Sequence, residues 1–210
     1  MQTERVIAIV DDNKVIRDSL AALLQSAGHT VKTFASGQEF LTTDFSIFEC
    51  AIMDMLMPGQ SGMEVLKHVV SSKFTLPIIM ITGYGDIPLA VKALRAGAVD
   101  FIEKPFADQL ILASVQRVLD IKDGKAHAEI SARHVRERAA QLTARERQVF
   151  DHLVSGLSNK GIAIELGISP RTVEIHRARV MQKIQARNLA DLVRIALASD
   201  LDSGSGSTPA

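Results

Sequence analysis

The chain has 210 residues, of which 47% are hydrophobic and 23% charged, as in ordinary globular proteins of one or two domains. It holds a single cysteine, Cys50, and no uncharged apolar run of about 18 residues, so neither an internal disulfide nor a membrane-spanning segment is predicted. Residues 1–122 carry 11 Lys and Arg against 14 Asp and Glu, whereas residues 125–198 carry 13 against 7, which points to a polyanionic partner for the second part. We expect a cytoplasmic protein without a membrane partner.

Strands and helices alternate along residues 1–122. Short apolar runs predict strands at about 5–10, 30–34, 49–54, 76–81 and 98–102. Amphipathic segments predict helices at about 14–27, 37–44, 61–71, 87–96 and 107–122. This repetition predicts an α/β fold with a doubly wound, five-stranded parallel sheet, whose switch point lies near the strands that end at Asp12 and Asp54.

Four of the predicted strands lead into charged or hydroxyl side chains, namely Asp11 with Asp12, then Asp54, Thr82 and Lys104. Because the carboxyl ends of parallel strands lie side by side, we expect these groups to converge on one site. Three carboxylates in one place repel each other, and Mg²⁺, which prefers oxygen ligands, removes that conflict. Asp54 then remains as a nucleophile able to form an acyl phosphate, while Thr82 and Lys104 contact phosphate oxygens.

This constellation resembles the receiver domain of two-component response regulators, over roughly residues 4–122. The resemblance implies a flavodoxin-like fold in which Asp54 is the phospho-acceptor and Thr82 and Lys104 are its catalytic neighbours. Phe101, three residues before Lys104, matches the aromatic switch residue. Implied ligands of Mg²⁺ are Asp11, Asp12, Asp54 and the backbone carbonyl of Leu56. A sensor histidine kinase is the implied phosphodonor, and the only enzymatic activities expected are Mg²⁺-dependent self-phosphorylation and slow autodephosphorylation.

Residues 123–141 form a predicted helical linker. Asp123-Gly124 ends the last receiver helix, and residues 125–141 contain neither proline nor glycine. Residues 142–200 then predict a small all-α domain of four helices. Thr143 and Glu146 form a capping box for the first, which runs to about Ser155. The other three are predicted at 159–166, 170–185 and 188–198, and residues 201–210, rich in Ser and Gly, are predicted to be a disordered tail.

The second and third of these helices, joined by a short turn at Gly167, predict a helix-turn-helix. A small helical bundle that binds protein is the plain alternative. The third helix argues against it, because cationic side chains surround its exposed face while Val173, Val180 and Ile184 supply a buried stripe. Expected DNA contacts are Lys160, Arg171, Thr172, Glu174, Ile175, Arg177, Arg179 and Lys183.

Several stretches of this domain resemble the LuxR/NarL-type effector domain: 142–146, 156–163 and 169–173. The segments 83–91 and 97–101 further resemble the branch of response regulators that controls nitrogen-fixation and low-oxygen genes. The resemblance implies a transcriptional regulator that binds duplex DNA, with RNA polymerase as a further partner. Phosphorylation is expected to produce a homodimer through residues 87–96 and 98–102, with Val91, Arg95 and Asp100 as contacts.

Two other functions use the same residues. A phosphatase of the haloacid-dehalogenase type shares the aspartyl-phosphate chemistry, but it needs a second Asp two residues after the nucleophile, where this chain has Leu56. A receiver that acts only through protein partners would use the helix-turn-helix as a docking module. Salt-dependent binding to duplex DNA separates this last function from a transcription factor.

Overall fold

The computed structural model describes residues 6–72, 76–83, 87–122 and 137–203. These residues fall into two compact units, one built around a five-stranded sheet and the other around four C-terminal helices. Within the described residues, no helix is both long and apolar enough to cross a membrane.

The sheet of the first unit is entirely parallel and has the strand order β2-β1-β3-β4-β5. Its strands are β1 (Val6–Val10), β2 (Thr30–Phe34), β3 (Phe48–Asp54), β4 (Ile78–Thr82) and β5 (Asp100–Glu103). Because β1 lies between β2 and β3, the chain changes its direction of winding at this point, which confirms the predicted α/β fold and its switch point.

Five α-helices follow the five strands in turn along the chain: α1 (Lys14–Ser26), α2 (Gly37–Leu41), α3 (Gly62–Ser71), α4 (Ile87–Arg95) and α5 (Asp108–Lys122). Helix α2 is shorter than the predicted 37–44. The side chain of Asp44 accepts a hydrogen bond from the backbone N–H of Ser46 and caps a separate 3₁₀ helix, Phe45–Ile47. A residue that caps the next helix cannot also continue the previous one, so α2 ends before it.

The core lies on both faces of the central strands. Ile7, Ile9, Ile52, Ile79 and Ile81 are almost completely buried and belong to one cluster that includes side chains of α1 and α5. A second group of four phenylalanines packs with neighbouring ring centroids 5.2–5.9 Å apart: Phe34, Phe40, Phe45 and Phe48. Burial on both faces explains why these strands are continuous apolar runs in the sequence.

The second unit contains α6 (Ala144–Val154), α7 (Asn159–Leu166), α8 (Pro170–Ile184) and α9 (Leu189–Ser203). The capping box of Thr143 and Glu146 opens α6 as predicted, and Ser169 caps α8. Gly167, at the end of α7, has a left-handed φ of 62°, which turns the chain sharply into α8. Helices α7 and α8 therefore form the expected helix-turn-helix.

The end of the chain differs from the prediction. Helix α9 continues to Ser203, so the predicted tail of residues 201–210 begins within a helix, and residues 204–210 lie outside the described part. Leu201 extends the apolar pattern of Leu189 to Leu197, and no proline or glycine intervenes to end the helix before Ser203. Of the predicted linker, only residues 137–141 are described, and residues 137–139 are helical.

Candidate functional site

A single ammonium group links the ends of three strands. The Nζ of Lys104, just past β5, lies 2.5 Å from Asp54 Oδ1 and 2.9 Å from Asp11 Oδ2. The backbone N–H of Lys104 also donates to the carbonyl of Thr82 at 2.8 Å. Asp11 is 1% exposed and Asp54 6%, so both carboxylates need a partner to compensate for lost hydration. Lys104 provides it, so Asp11, Asp54 and Lys104 converge as predicted.

The remaining oxygens of both carboxylates are held by the backbone of their own loops. Asp11 Oδ1 accepts the N–H of Asn13 at 2.8 Å, and Asp54 Oδ2 accepts the N–H of Leu56 at 2.9 Å. Gly62 keeps the second loop compact, because a Cβ at this position would lie 2.1 Å from the carbonyl oxygen of Asp54. Each carboxylate is thus fixed in direction by short local contacts.

Burial and pairing change the acidity of these groups. Burial raises the pKa of the Asp54 carboxyl, although the hydrogen bond and charge of Lys104 act in the opposite direction. For Lys104, burial lowers the pKa, but hydrogen bonds and charge from Asp54 and Asp11 outweigh it and raise the pKa of the ammonium. Lys104 is therefore charged at neutral pH, and Asp54 is more basic than an exposed aspartate.

The hydroxyl of Thr82 completes the site. Thr82 ends β4 and is 1% exposed, and its Oγ1 has no hydrogen-bond partner among the described residues. A buried hydroxyl without a partner is unfavourable, so this group can donate to an oxygen atom that arrives beside Asp54.

The acidic groups converge less completely than predicted. Within the described residues, no three His, Cys, Asp or Glu side chains are grouped so that they could hold a metal ion. Asp12 is exposed, whereas Asp11 and Asp54 are buried around Lys104. In this arrangement the Lys104 ammonium neutralises two of the three carboxylates, and the Mg²⁺ ligand set of Asp11, Asp12 and Asp54 stays a prediction. The donors are all oxygens, which is the ligand type that Mg²⁺ prefers.

A role for Arg17, one turn into α1, was not predicted from the sequence. Its Nη1 donates to the backbone carbonyl of Asp11 at 2.6 Å and so fixes the loop that carries Asp11 and Asp12. The N-cap of α1 at Asn13 could have indicated this role, since Arg17, four positions later, lies on the same face of the helix.

One predicted dimer contact, Asp100, is buried within the first unit and is 1% exposed. The Asp100 carboxylate accepts from Ser114 Oγ at 2.6 Å, forms a salt bridge with Arg117, and accepts the N–H of Phe101 at 3.0 Å. Asp100 is therefore not available as a surface contact, whereas Val91 stays a predicted contact. Arg95 is exposed, and Phe101 is partly buried.

In the second unit, α8 presents a polar, cationic face. Arg171, Glu174, Ile175 and Arg179 of α8 are exposed, as is Lys160 of α7, and the prediction of a DNA-contacting surface requires this. Arg171 forms an exposed ion pair with Glu174 at 3.1 Å, and such pairs are weak enough to exchange for a phosphate.

Three other predicted DNA contacts have partners within the domain. Arg177 Nη1 lies 3.5 Å from Asn159 Oδ1, and the hydroxyl of Thr172 lies 2.8 Å from that of Ser169. The Nζ of Lys183 lies 2.6 Å from Glu146 Oε2 and 3.2 Å from the carbonyl of Gln141. This geometry conflicts with the prediction that Lys183 contacts DNA, because its ammonium already neutralises a carboxylate that is buried in α6.

Comparison with known families gives the two units their identity. The response regulator receiver domain matches residues 7–116, and the bacterial regulatory proteins of the luxR family match residues 140–196. The chain is a two-component response regulator. Its first unit is the receiver domain, and its second unit is the LuxR-type DNA-binding domain.

The regulator is similar to characterised proteins along nearly its whole length. It is 45% identical to the transcriptional regulatory protein FixJ of Bradyrhizobium diazoefficiens, over 94% of this chain and 97% of that protein. It is 37% identical to the response regulator protein TodT of Pseudomonas putida, over 90% of this chain and 84% of that protein. The crystal structure of full-length FixJ from B. japonicum matches 95% of this chain and 99% of its own, with 43% identity and a TM-score of 0.53.

These similarities confirm the predicted family. The regulator is a transcriptional regulator that is activated by phosphorylation and resembles FixJ. Its two domains imply a sensor kinase and DNA as partners.

Proposed function

We propose that Asp54 is the phospho-acceptor and that its phosphorylation by a sensor histidine kinase activates DNA binding. The observation that supports this most directly is the arrangement around Asp54. Lys104 lies 2.5 Å from its carboxylate, and the buried Oγ1 of Thr82 lacks a partner among the described residues. A phosphoryl group on Asp54 would present oxygens that both groups can contact.

The transfer itself needs little from the protein except position and charge. A carboxylate oxygen of Asp54 attacks phosphorus as the bond between phosphorus and the kinase histidine nitrogen breaks, and the electron pair remains on the imidazole. Lys104 stabilises the negative charge on the phosphoryl oxygens, and Thr82 donates to one of them. Asp11, Asp12, Asp54 and the carbonyl of Leu56 would hold Mg²⁺, which, when bound, neutralises further phosphoryl charge.

The same contacts can report phosphorylation to the rest of the receiver domain. Thr82 and Lys104 end neighbouring strands, and the backbone N–H of Lys104 binds the carbonyl of Thr82. Movement of Thr82 toward a phosphoryl oxygen leaves space that the partly buried ring of Phe101 then enters. A ligand can shift only an equilibrium between two states that it binds differently, and these three residues are our candidates for that element.

Phosphorylation increases DNA binding because a dimer of receiver domains brings two DNA-binding domains together. One helix-turn-helix contacts few base pairs and binds weakly, whereas two on a two-fold related site bind much more tightly. Receiver dimerisation thus increases DNA affinity without any new base contact, and promoter-bound dimers can then recruit RNA polymerase. We assign the exposed side of α8, with Arg171 and Arg179, to the major groove.

Replacement of Asp54 by asparagine tests the phospho-acceptor. Asp54→Asn keeps the shape of the side chain but removes its nucleophilic charge, so we expect no phosphorylation by acetyl phosphate with Mg²⁺. Intact mass measurement detects the phosphoryl group directly. Asp18→Asn, at an exposed aspartate paired with Lys14, is the matched control and should be phosphorylated like the parent. An acid-labile phosphoryl group that persists on Asp54→Asn would place the acceptor elsewhere.

A further inference from the structure

Two adjacent residues at the start of α6 contact the two helices of the helix-turn-helix. The Nη2 of Arg145 donates to the carbonyl of Leu166, the last residue of α7, at 2.5 Å. Its Nη1 donates to Gln148 Oε1 at 2.9 Å, which fixes the direction of the guanidinium. The last carbonyls of a helix lack partners within it and carry partial negative charge. Arg145 therefore holds α7 at the point where the turn to α8 begins.

Glu146 makes the corresponding contact with α8. Its carboxylate is buried, with the residue 3% exposed, and it accepts from Lys183 at 2.6 Å and from the N–H of Thr143 at 2.9 Å. Lys183 also donates to the carbonyl of Gln141 at 3.2 Å. The hydrogen bond from Lys183 is the largest cause that lowers the pKa of Glu146 to about 2, so this carboxylate is charged at neutral pH.

We propose that Arg145, Glu146 and Lys183 are positioning residues that set the angle of the recognition helix α8 relative to α7, and thereby the sequence specificity of DNA binding. Helix α8 is fixed at its first turn by the cap at Ser169 and near its last turn by Lys183. Between these points α8 buries the apolar side chains of Val173 and Val180, and packed helices can slide past each other by small amounts. Two charge-assisted hydrogen bonds from neighbouring residues of one rigid helix do not permit this sliding.

Loss of the contacts that hold α8 should change which DNA sequences are preferred more than the general affinity for DNA. Bidentate contacts with base edges require side chains to be held to within about 0.5 Å, whereas phosphate contacts tolerate larger shifts. Release of α8 should thus weaken binding to the preferred sequence and leave binding to other sequences almost unchanged. A DNA-contacting Lys183 would behave differently, because loss of a phosphate contact weakens binding to all sequences and lowers the salt slope by about one.

The experiment compares a preferred duplex with a duplex of mixed sequence. The preferred duplex is selected from a random pool by the full-length parent after treatment with acetyl phosphate and MgCl₂. Fluorescence anisotropy at several salt concentrations then gives affinities for both duplexes with Arg145→Ala, Arg145→Lys and Lys183→Met. Thermal melting followed by circular dichroism supplies the folded fraction, by which each affinity is corrected.

We expect Arg145→Ala and Lys183→Met to reduce the ratio of the two affinities about tenfold, a loss comparable to one bidentate base contact, with an unchanged salt slope. Arg145→Lys should recover most of this ratio, because an ammonium can still reach the carbonyl of Leu166. The matched control is Arg147→Ala, on the same helix, which removes only contacts within α6, with the exposed Asp151 and the ring of Phe150, and it should keep the parental ratio. An unchanged ratio in Arg145→Ala, or an equal loss on both duplexes with a lower salt slope in Lys183→Met, would overturn the proposal.

Discussion

Lys104 shows how much of the site the sequence could predict at the scale of single residues. Its place at a strand end next to Asp54, Thr82 and Asp11 follows from the order of apolar runs along the chain. The burial of Asp100 could not be predicted in this way. Its partners, Ser114 and Arg117, lie 14 and 17 residues further on, and no local pattern indicates a contact across that separation. Asp100, at the start of β5, was therefore predicted to lie on the surface.

Lys104→Met should reveal the double role of this ammonium. The substitution keeps the length of the side chain but leaves Asp11 and Asp54 facing each other without a cation, which should cost about 2 kcal/mol of unfolding free energy. Mg²⁺ can replace the lost charge, so added MgCl₂ should raise the melting temperature of Lys104→Met more than that of the parent. Some phosphorylation by acetyl phosphate should remain, but it should no longer increase DNA binding. Equal effects of MgCl₂ on both proteins would contradict this account of the carboxylates.

At the scale of elements, the residues that cap the ends of helices gave the most reliable predictions. The capping box at Thr143 and Glu146 and the N-cap at Ser169 predicted the starts of α6 and α8, because each satisfies backbone N–H groups locally. The predicted end of α9 was wrong, since Ser and Asp near residue 200 are weaker stop signals than Pro or Gly. What the sequence did not indicate is that Glu146 also binds Lys183, 37 residues later in α8.

The link between α6 and α8 should depend on pH. The pKa of Glu146 is lowered from 4.5 to about 2, first by the hydrogen bond from Lys183. A carboxyl whose pKa is lower in the folded state stabilises the fold above its unfolded pKa, and this contribution is lost as the pH falls from about 4.5 toward 2. The parent should therefore lose more thermal stability than Glu146→Gln between these pH values. Parallel melting curves for the two proteins across this range would contradict the prediction.

At the scale of the whole molecule, the family similarity and the two compact units define a regulator whose input and output lie in different domains. The division was predictable, because alternation of strands and helices ends at about residue 122 and capped helices begin at Thr143. The sequence could not predict which residues would form a dimer. Burial of Asp100 leaves Arg95, which is exposed on α4, as the predicted charged contact.

Arg95→Glu should reduce dimerisation of the phosphorylated regulator. Reversal of an exposed charge at a two-fold interface acts twice, once for each copy, so we expect the dimer dissociation constant to rise roughly tenfold. Sedimentation velocity with beryllofluoride and MgCl₂ measures it. Lys67→Glu, an equivalent reversal at an exposed position on α3, is the control and should dimerise like the parent. Dimerisation of Arg95→Glu at parental strength would place the interface on another face.

The hydroxyl of Thr82 has a consequence for attempts to engineer this regulator. Since its Oγ1 has no partner among the described residues, Thr82→Val should stabilise the unphosphorylated protein by about 1 kcal/mol, as chemical denaturation can measure. The same substitution should abolish the gain in DNA affinity on phosphorylation, whereas a Thr82→Val protein that is less stable than the parent would show that the hydroxyl is satisfied at rest. Directed evolution for heat resistance alone would therefore favour variants that no longer transmit the signal, and a screen has to reward both properties to retain a working sensor.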